Sequence, residues 1–134
     1  MERQFRYRNS VISYQRFGNG PLPVICFHGY GEGADVFSFF EKEAGDRFSF
    51  FAFDLPFHGK TEWNEGLQFT ISDLLKIVNC ETYNRKPVLM GFSLGGRVAL
   101  SLFEATSDKF CKLILLAPDG LKINFWYRFS TQTL

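Results

Sequence analysis

The stretch PVLMGFSLGGRVALS, residues 87–101, decides the fold because it joins a predicted strand to a predicted helix with a serine at the junction. Its first four residues form an apolar run of the kind found in strands that are covered on both faces. The residues after Ser93 are small and apolar, and they predict a helix over residues 94–107. Gly91 and Gly95 flank the serine. A strand that turns abruptly into a helix at this point predicts a positive φ at Ser93. It also predicts that neither glycine has room for a side chain.

Further segments predict the rest of a sheet around this junction. The short mixed segments 3–8 and 11–16 predict an antiparallel pair at one edge. Helical patterns cover residues 34–43 and 70–79, and the second begins with a capping-box pattern, T-x-x-D. Strands and helices therefore alternate, which predicts an α/β fold with a mostly parallel sheet and flanking helices. The apolar runs that predict parallel strands, besides the run at 87–90, are 24–27, 48–53 and 112–117.

The composition predicts one globular domain over residues 1–134, with 46% hydrophobic and 22% charged residues. Because 15 basic and 14 acidic residues leave a net charge of +1, the chain has no broad field that would attract nucleic acid or an anionic membrane. No apolar run approaches the roughly 20 residues of a membrane span. We therefore expect neither nucleic acid nor a membrane as a partner.

The cysteines indicate the cellular compartment. Cys26, Cys80 and Cys111 have neither metal nor redox spacing, and we interpret them as small buried apolar residues of a reducing environment. This interpretation predicts a cytoplasmic protein. No histidine pair or cysteine cluster has the spacing of metal ligands, so neither a metal nor a cofactor is predicted.

The segments that directly follow the parallel strands are the candidates for a site, because open α/β sheets bind ligands beyond the carboxyl ends of their strands. HGYGEG, residues 28–33, has glycines that permit a tight turn and leave N–H groups free to face a ligand. In the next loop, residues 54–61, we interpret Asp54 as holding the turn through hydrogen bonds to local amides. Ser93 lies at a helix N-terminus, where the dipole and free amides favour a developing negative charge. Ser93 is a candidate nucleophile, since a serine that merely caps a helix needs no glycines on both sides.

In their joint order and spacing, the motifs H-G-x-G, D-x-P-x-H-G and G-x-S-x-G-G resemble the N-terminal half of the α/β-hydrolase superfamily, over essentially all 134 residues. The resemblance implies that Ser93 is the nucleophile and that the backbone amides of Leu94 and Tyr30 form the oxyanion hole. A serine at the elbow implies an acyl-enzyme and an ester, thioester or similar carbonyl substrate. The residues that the resemblance assigns to ordering the loops are His28, Gly29, Asp54, His58, Gly91 and Gly95. A small-molecule acyl substrate is expected against Tyr30, Phe57 and Phe92.

The groups that would activate Ser93 are missing from the sequence that follows it. In the family an acid and then a histidine come after the nucleophile, but no histidine follows Ser93. Glu104, Asp108 and Asp119 do not match the family's acid. Without a base, a serine hydroxyl is a poor nucleophile. We therefore expect a sequence that ends early, with its acid and base further along the protein, and little or no activity from the 134-residue chain alone.

The last part of the sequence suggests an alternative function. The run 112–117 is apolar enough to be paired on both sides, and an open edge of that kind invites aggregation. Residues 121–129 add a cluster of large aromatic side chains, and residues 119–134 resemble the start of a lid. The alternative is a non-catalytic binding module that keeps the pocket and the amides without the base. Such a module would bind an acyl ligand or a partner, or self-associate through the open sheet edge.

Overall fold

The computed structural model describes residues 1–79 and 85–117, which form a six-stranded sheet flanked by helices. The strands are β1 Glu2–Tyr7, β2 Ser10–Phe17, β3 Leu22–Phe27, β4 Phe48–Phe53, β5 Val88–Phe92 and β6 Lys112–Leu116. They lie in the order β1-β2-β4-β3-β5-β6. Strands β4, β3, β5 and β6 are parallel, and the antiparallel pair β1 and β2 joins them at β4. The predicted α/β fold, with a mostly parallel sheet and an antiparallel pair at one edge, is confirmed.

The helices follow the predicted pattern with one exception. They are α1 Phe40–Ala44, α2 Ile71–Asn79 and α3 Leu94–Thr106, with 3-10 turns at Ala34–Phe37 and Ser107–Lys109. The prediction of a single helix over 34–43 is wrong, because the 3-10 turn and α1 divide that segment. Ala34 and Phe37 are the buried residues of the turn, and residues three apart lie on one side of a 3-10 helix. Burial of this pair therefore fits the tighter turn.

The N-terminus of α2 has the predicted capping box. The Thr70 hydroxyl accepts a hydrogen bond from the Asp73 N–H at 3.1 Å, and the Asp73 carboxylate accepts one from the Thr70 N–H at 2.9 Å. The same carboxylate accepts a hydrogen bond from the Tyr7 hydroxyl at 2.6 Å. This bond from Tyr7 is the main reason that the pKa of Asp73 lies below its usual range. The contact fixes the start of α2 against β1.

The sheet is covered on both faces, because successive side chains of a strand point in opposite directions. On one face, Ile25 and Leu89 belong to the core that includes the buried aliphatic side chains of α2 and α3. On the other face, Cys26 and Met90 pack in a second core with Phe37. This double coverage explains why the apolar runs of the parallel strands do not alternate with polar residues.

Strand β6 lies at one end of the sheet, and within the described segments it pairs with β5 alone. Its residues 113–116 are half-buried. The partner expected on its second side is therefore not found within those segments. Cys111, directly before β6, is exposed, whereas Cys26 is buried. The interpretation of the cysteines as buried is confirmed for Cys26 and wrong for Cys111, because Cys111 precedes the strand that lies at one end of the described sheet.

Some predictions fall outside the described residues. These are the lid segment 119–134, the aromatic cluster 121–129, Asp119 and Cys80. Across residues 1–79 and 85–117, no helix has the length and apolar character needed to cross a membrane. Within the same ranges, no three His, Cys, Asp or Glu side chains group as potential metal ligands.

Candidate active site

The junction between β5 and α3 has the geometry predicted for a serine held in a strained turn. Ser93 has φ 52° and ψ −116°, a backbone conformation that costs a non-glycine residue energy. A Cβ on Gly91 would lie closer than 3.0 Å to the backbone of Gly95, and a Cβ on Gly95 would lie closer than 3.0 Å to the carbonyl oxygen of Phe27. Both flanking glycines are therefore required by close contacts between main chains.

The Ser93 hydroxyl is not engaged in holding this turn. The Ser93 N–H donates to the Leu116 carbonyl at 3.1 Å, and its carbonyl accepts from the Gly96 N–H at 2.9 Å. The side chain makes no capping hydrogen bond to α3. Within the part of the chain that the structure describes, its Oγ has no hydrogen-bond partner and the residue is half-buried. The interpretation of Ser93 as a helix-capping serine is therefore excluded.

We expect Ser93→Gly to raise the free energy of unfolding by about 1 kcal/mol, because glycine adopts a positive φ without strain. The gain is smaller than the strain itself, since glycine also gives the unfolded chain more freedom. Urea denaturation followed by circular dichroism measures the change. Ser101→Gly, at an exposed position of α3, serves as the control and is expected to lower stability by about 0.5 kcal/mol. Equal losses from both substitutions would contradict a strained elbow.

The loop after β3 passes directly beside the serine. The position that a Cβ on Gly29 would occupy lies 3.4 Å from the Cβ of Ser93. The next residue, Tyr30, has an exposed side chain. Among the described residues, the N–H groups of Tyr30 and Leu94 have no hydrogen-bond acceptor. Two amide donors without an acceptor among the described residues therefore immediately follow Gly29 and Ser93, which lie next to each other in this site.

His28 connects the loops that follow β3 and β4. Its side chain is buried, its Nδ1 lies 2.7 Å from the Gly29 carbonyl oxygen, and its Nε2 accepts a hydrogen bond from the Leu55 N–H at 3.0 Å. The acceptor role of Nε2 requires a neutral ring with its proton on Nδ1. Burial is the main cause that lowers the pKa of His28, which is consistent with that state. Because both ring nitrogens are engaged, His28 has no lone pair free to act as a base.

Asp54 also connects the loops that follow β3 and β4. Its carboxylate accepts hydrogen bonds from the Ala34 N–H at 2.7 Å and the Lys60 N–H at 3.0 Å. Its neighbour in the loop, His58, is half-buried, and the His58 Nδ1 lies 3.1 Å from the Pro56 carbonyl oxygen. The ring of His58 lies 5.1 Å from that of His28, between centroids. Asp54, His28 and His58 thus make contacts between the loop that follows β3 and the loop that follows β4.

Glu32 is a site residue that the sequence reasoning missed. Its Oε2 accepts a hydrogen bond from the Gly29 N–H at 3.0 Å, and its own N–H donates to the Gly29 carbonyl at 3.3 Å. The hydrogen-bonding groups of Gly29 are thereby occupied, and the Tyr30 N–H is the next donor along the chain. The signal in the sequence was a lone charged residue inside an otherwise glycine-rich loop.

A cavity of about 350 Å³ opens beside Glu32. Its other lining residues are apolar: Val36, Phe37, Phe39, Phe40, Phe92 and Leu116. Of the three residues expected around an acyl group, Phe92 lines this cavity. The other two, Tyr30 and Phe57, have exposed side chains. Phe57 has φ 70°.

Comparison with known proteins identifies the family. A family model described as "alpha/beta hydrolase fold" matches residues 23–133. The chain is 28% identical over 122 residues to the uncharacterized hydrolase YugF of Bacillus subtilis (strain 168), covering 88% of this chain and 45% of that protein. It is 31% identical over 122 residues to a pimeloyl-[acyl-carrier protein] methyl ester esterase of Pseudoalteromonas atlantica, covering 88% of this chain and 46% of that enzyme.

A solved structure has the same fold. The thermophilic esterase from Thermogutta terrifontis superposes with a TM-score of 0.76 at 22% identity, covering 97% of this chain and 50% of that one. The chain therefore belongs to the α/β-hydrolase fold family, and its relatives include esterases. It spans less than half the length of the two relatives compared above, 45% and 46%.

Proposed function

We propose that this chain carries the nucleophile and the oxyanion hole of a serine hydrolase that acts on an ester, thioester or similar carbonyl compound. The observation that carries the proposal is the conformation of Ser93, with φ 52° at a strand-to-helix junction and no partner for its hydroxyl among the described residues. A strained backbone persists only where its surroundings impose it, and such residues cluster at reactive sites. The esterase relatives support the same class of reaction.

In the proposed reaction, the Oγ of Ser93 attacks the carbonyl carbon of the substrate and loses its proton to a base. The carbonyl oxygen becomes an oxyanion, which accepts hydrogen bonds from the Leu94 and Tyr30 N–H groups. Each such donor contributes about 3 kcal/mol to transition-state stabilisation. The tetrahedral intermediate then collapses, expels the protonated alcohol or thiol and leaves an acyl group on Ser93. Water attacks this acyl-enzyme in the same way, which releases the carboxylic acid and restores the serine hydroxyl.

We propose that none of these 134 residues acts as the base. The chain has two histidines and both precede Ser93. The ring nitrogens of His28 are both engaged, and His58 lies in the turn that follows β4. A positioned general base contributes about 10²- to 10⁴-fold to the rate. We therefore propose that the 134-residue chain alone has little or no activity. We also propose a cytoplasmic protein, supported by the free thiols of Cys26 and Cys111.

The test is reaction with an alkyl fluorophosphonate, which bonds to an activated serine oxygen and releases fluoride. The protein is isolated from its natural source, treated with the probe and analysed by intact and peptide mass spectrometry. One adduct is expected, on the peptide that contains Ser93, and Ser93→Ala is expected to abolish it. Ser101→Ala, at an exposed serine of α3, is the control and should keep the adduct. An adduct that survives Ser93→Ala would overturn the proposal.

The mass of the isolated protein helps to test the proposal that the base lies outside these 134 residues. If the mass exceeds 15.5 kDa, the 134-residue chain prepared alone is expected to react with the probe at least about 100-fold more slowly than the isolated protein. Equally fast labelling of the short chain would contradict this expectation.

A second candidate function, a non-catalytic binding module, is favoured by the position of β6. This strand forms one end of the described sheet, and its apolar residues 113–116 are only half-buried. A cavity of about 340 Å³ has Val88 of β5 and Ile114 of β6 among its lining residues. An isolated mass of 15.5 kDa, no adduct and self-association in sedimentation would support this function and contradict the enzyme.

A further inference from the structure

Three side chains converge on the small space in front of the Gly29 Cα. The position that a Cβ on Gly29 would occupy lies 2.9 Å from the Oε2 of Glu32, 3.3 Å from the Cδ1 of Phe92 and 3.4 Å from the Cβ of Ser93. A carboxylate, an aromatic ring and the proposed nucleophile therefore share one neighbourhood. A group bonded to the Oγ of Ser93 would extend into surroundings that Glu32 and Phe92 help to define.

The cavity described above begins at this point. Glu32 and Phe92 both line it, and the remainder of its wall consists of aliphatic and aromatic residues. Among the described residues that line it, Glu32 is the only charged one. Its volume of about 350 Å³ lies in the range of small-molecule sites. The cavity thus combines an apolar wall with one negative charge, and the carboxylate that carries it lies, like the Cβ of Ser93, within 3.4 Å of the position that a Cβ on Gly29 would occupy.

The position of that charge is fixed rather than free. The hydrogen bond from the Gly29 N–H holds Oε2, and the backbone bond between Glu32 and Gly29 closes the turn around it. A carboxylate held beside the reacting carbonyl would repel a second negative charge, and like charges placed together at a binding surface are strongly disfavoured. Discrimination of this kind acts through rejection of the wrong substrate.

We propose that Glu32 determines specificity: its carboxylate excludes acyl groups that carry a negative charge near the carbonyl, and the apolar cavity accepts neutral acyl chains. This inference rests on the proposed function, because it takes Ser93 as the point to which the acyl group is joined. The relevant substrates are esters or thioesters of neutral, apolar carboxylic acids. Half-esters of short dicarboxylic acids are the compounds that Glu32 rejects.

The test compares two esters that differ by one carboxylate, 4-nitrophenyl butanoate and 4-nitrophenyl hemisuccinate. The kcat/KM ratio is measured with the protein isolated from its natural source and with variants produced in the same host. We expect the butanoate to be favoured by at least about tenfold, and Glu32→Gln to reduce that ratio by about tenfold. Glutamine retains an oxygen that can accept the Gly29 N–H, so the loop keeps its hydrogen bond. The preference of the unaltered protein is also expected to weaken as salt is added.

The matched control is Glu43→Gln, which makes the same change in net charge at an exposed position of α1. It is expected to leave the ratio unchanged. A ratio that Glu32→Gln does not alter, or that Glu43→Gln alters equally, would overturn the role of Glu32. A merely structural role would change the rates for both esters together and would not respond to salt.

Binding separates this inference from the proposed function. Equilibrium binding of the two esters is measured in the Ser93→Ala background, with and without Glu32→Gln. A charge preference in binding that depends on Glu32, without turnover that depends on Ser93, would overturn the proposed function and support the selectivity of the cavity. Turnover that depends on Ser93, with equal rates for both esters, would support the proposed function and overturn the selectivity of the cavity. Failure of both esters to bind would overturn the inference about Glu32.

Discussion

Replacing Gly95 by alanine is expected to lower the free energy of unfolding by about 3 kcal/mol. The added methyl group would meet the carbonyl oxygens of Phe27 and His28. Because both contacts are with main chain, no side-chain rotation can relieve them. Either α3 must move away from the end of β3 or the strand must shift. Urea denaturation of the two proteins, followed by circular dichroism, measures the loss.

The control for this prediction is Gly66→Ala. Gly66 has φ +98°, and among the described residues beyond its two chain neighbours no heavy atom lies within 4 Å of the position that a Cβ would occupy. Alanine at this site therefore adds backbone strain without a steric clash, and we expect a loss of about 1 kcal/mol. The difference between the two substitutions isolates the contact of α3 with β3. Similar losses of stability at Gly95 and Gly66 would show that α3 does not pack tightly against the end of β3 at Gly95.

Replacing Asp54 by asparagine is expected to cost about 3 kcal/mol. Each carboxylate oxygen accepts a backbone N–H, one from Ala34 and one from Lys60. An amide offers one oxygen, so its NH₂ group would face one of these donors in a buried position. Hydrogen exchange is expected to show faster exchange of the Ala34 and Lys60 amides, and urea denaturation gives the change in stability.

The matched control is Asp46→Asn, which makes the same chemical change at an exposed residue. A surface substitution of this kind is expected to change the free energy of unfolding by less than about 0.5 kcal/mol. Comparable effects at the two positions would mean that the loss at Asp54 reflects the charge of the whole protein. An effect confined to Asp54, without faster exchange at Ala34 and Lys60, would contradict its role in ordering the loops.

The elbow could be predicted from the sequence because it depends on two positions that tolerate no side chain. Gly91 and Gly95 bracket Ser93, and each is in fact crowded by backbone atoms. The parallel strands were equally predictable, since burial on both faces leaves a run without polar residues. Hydrogen bonds between Asp54 and local amides could be expected, because a carboxylate at the end of a strand has amides within reach.

Features without a repeating pattern were not predictable. Glu32 lies in a loop, where no periodicity shows which way a side chain points, so its bond to Gly29 became apparent only in three dimensions. The division of the segment 34–43 into a 3-10 turn and α1 was missed because an apolar spacing of three residues fits both kinds of helix. The exposure of Cys111 depends on which strand lies at the end of the sheet, and that order is a property of the topology.

The pairing of β3 with β5 has a consequence for how precisely the proposed oxyanion donors are placed. Phe27 at the end of β3 lies opposite Gly91 of β5, and the Gly29 loop and the serine turn follow these two residues. The register of these two central, hydrogen-bonded strands therefore determines the distance between the Tyr30 and Leu94 amides. Donors positioned by such strands stay in place while negative charge develops on the carbonyl oxygen. Little free energy is therefore needed to rearrange them during the reaction.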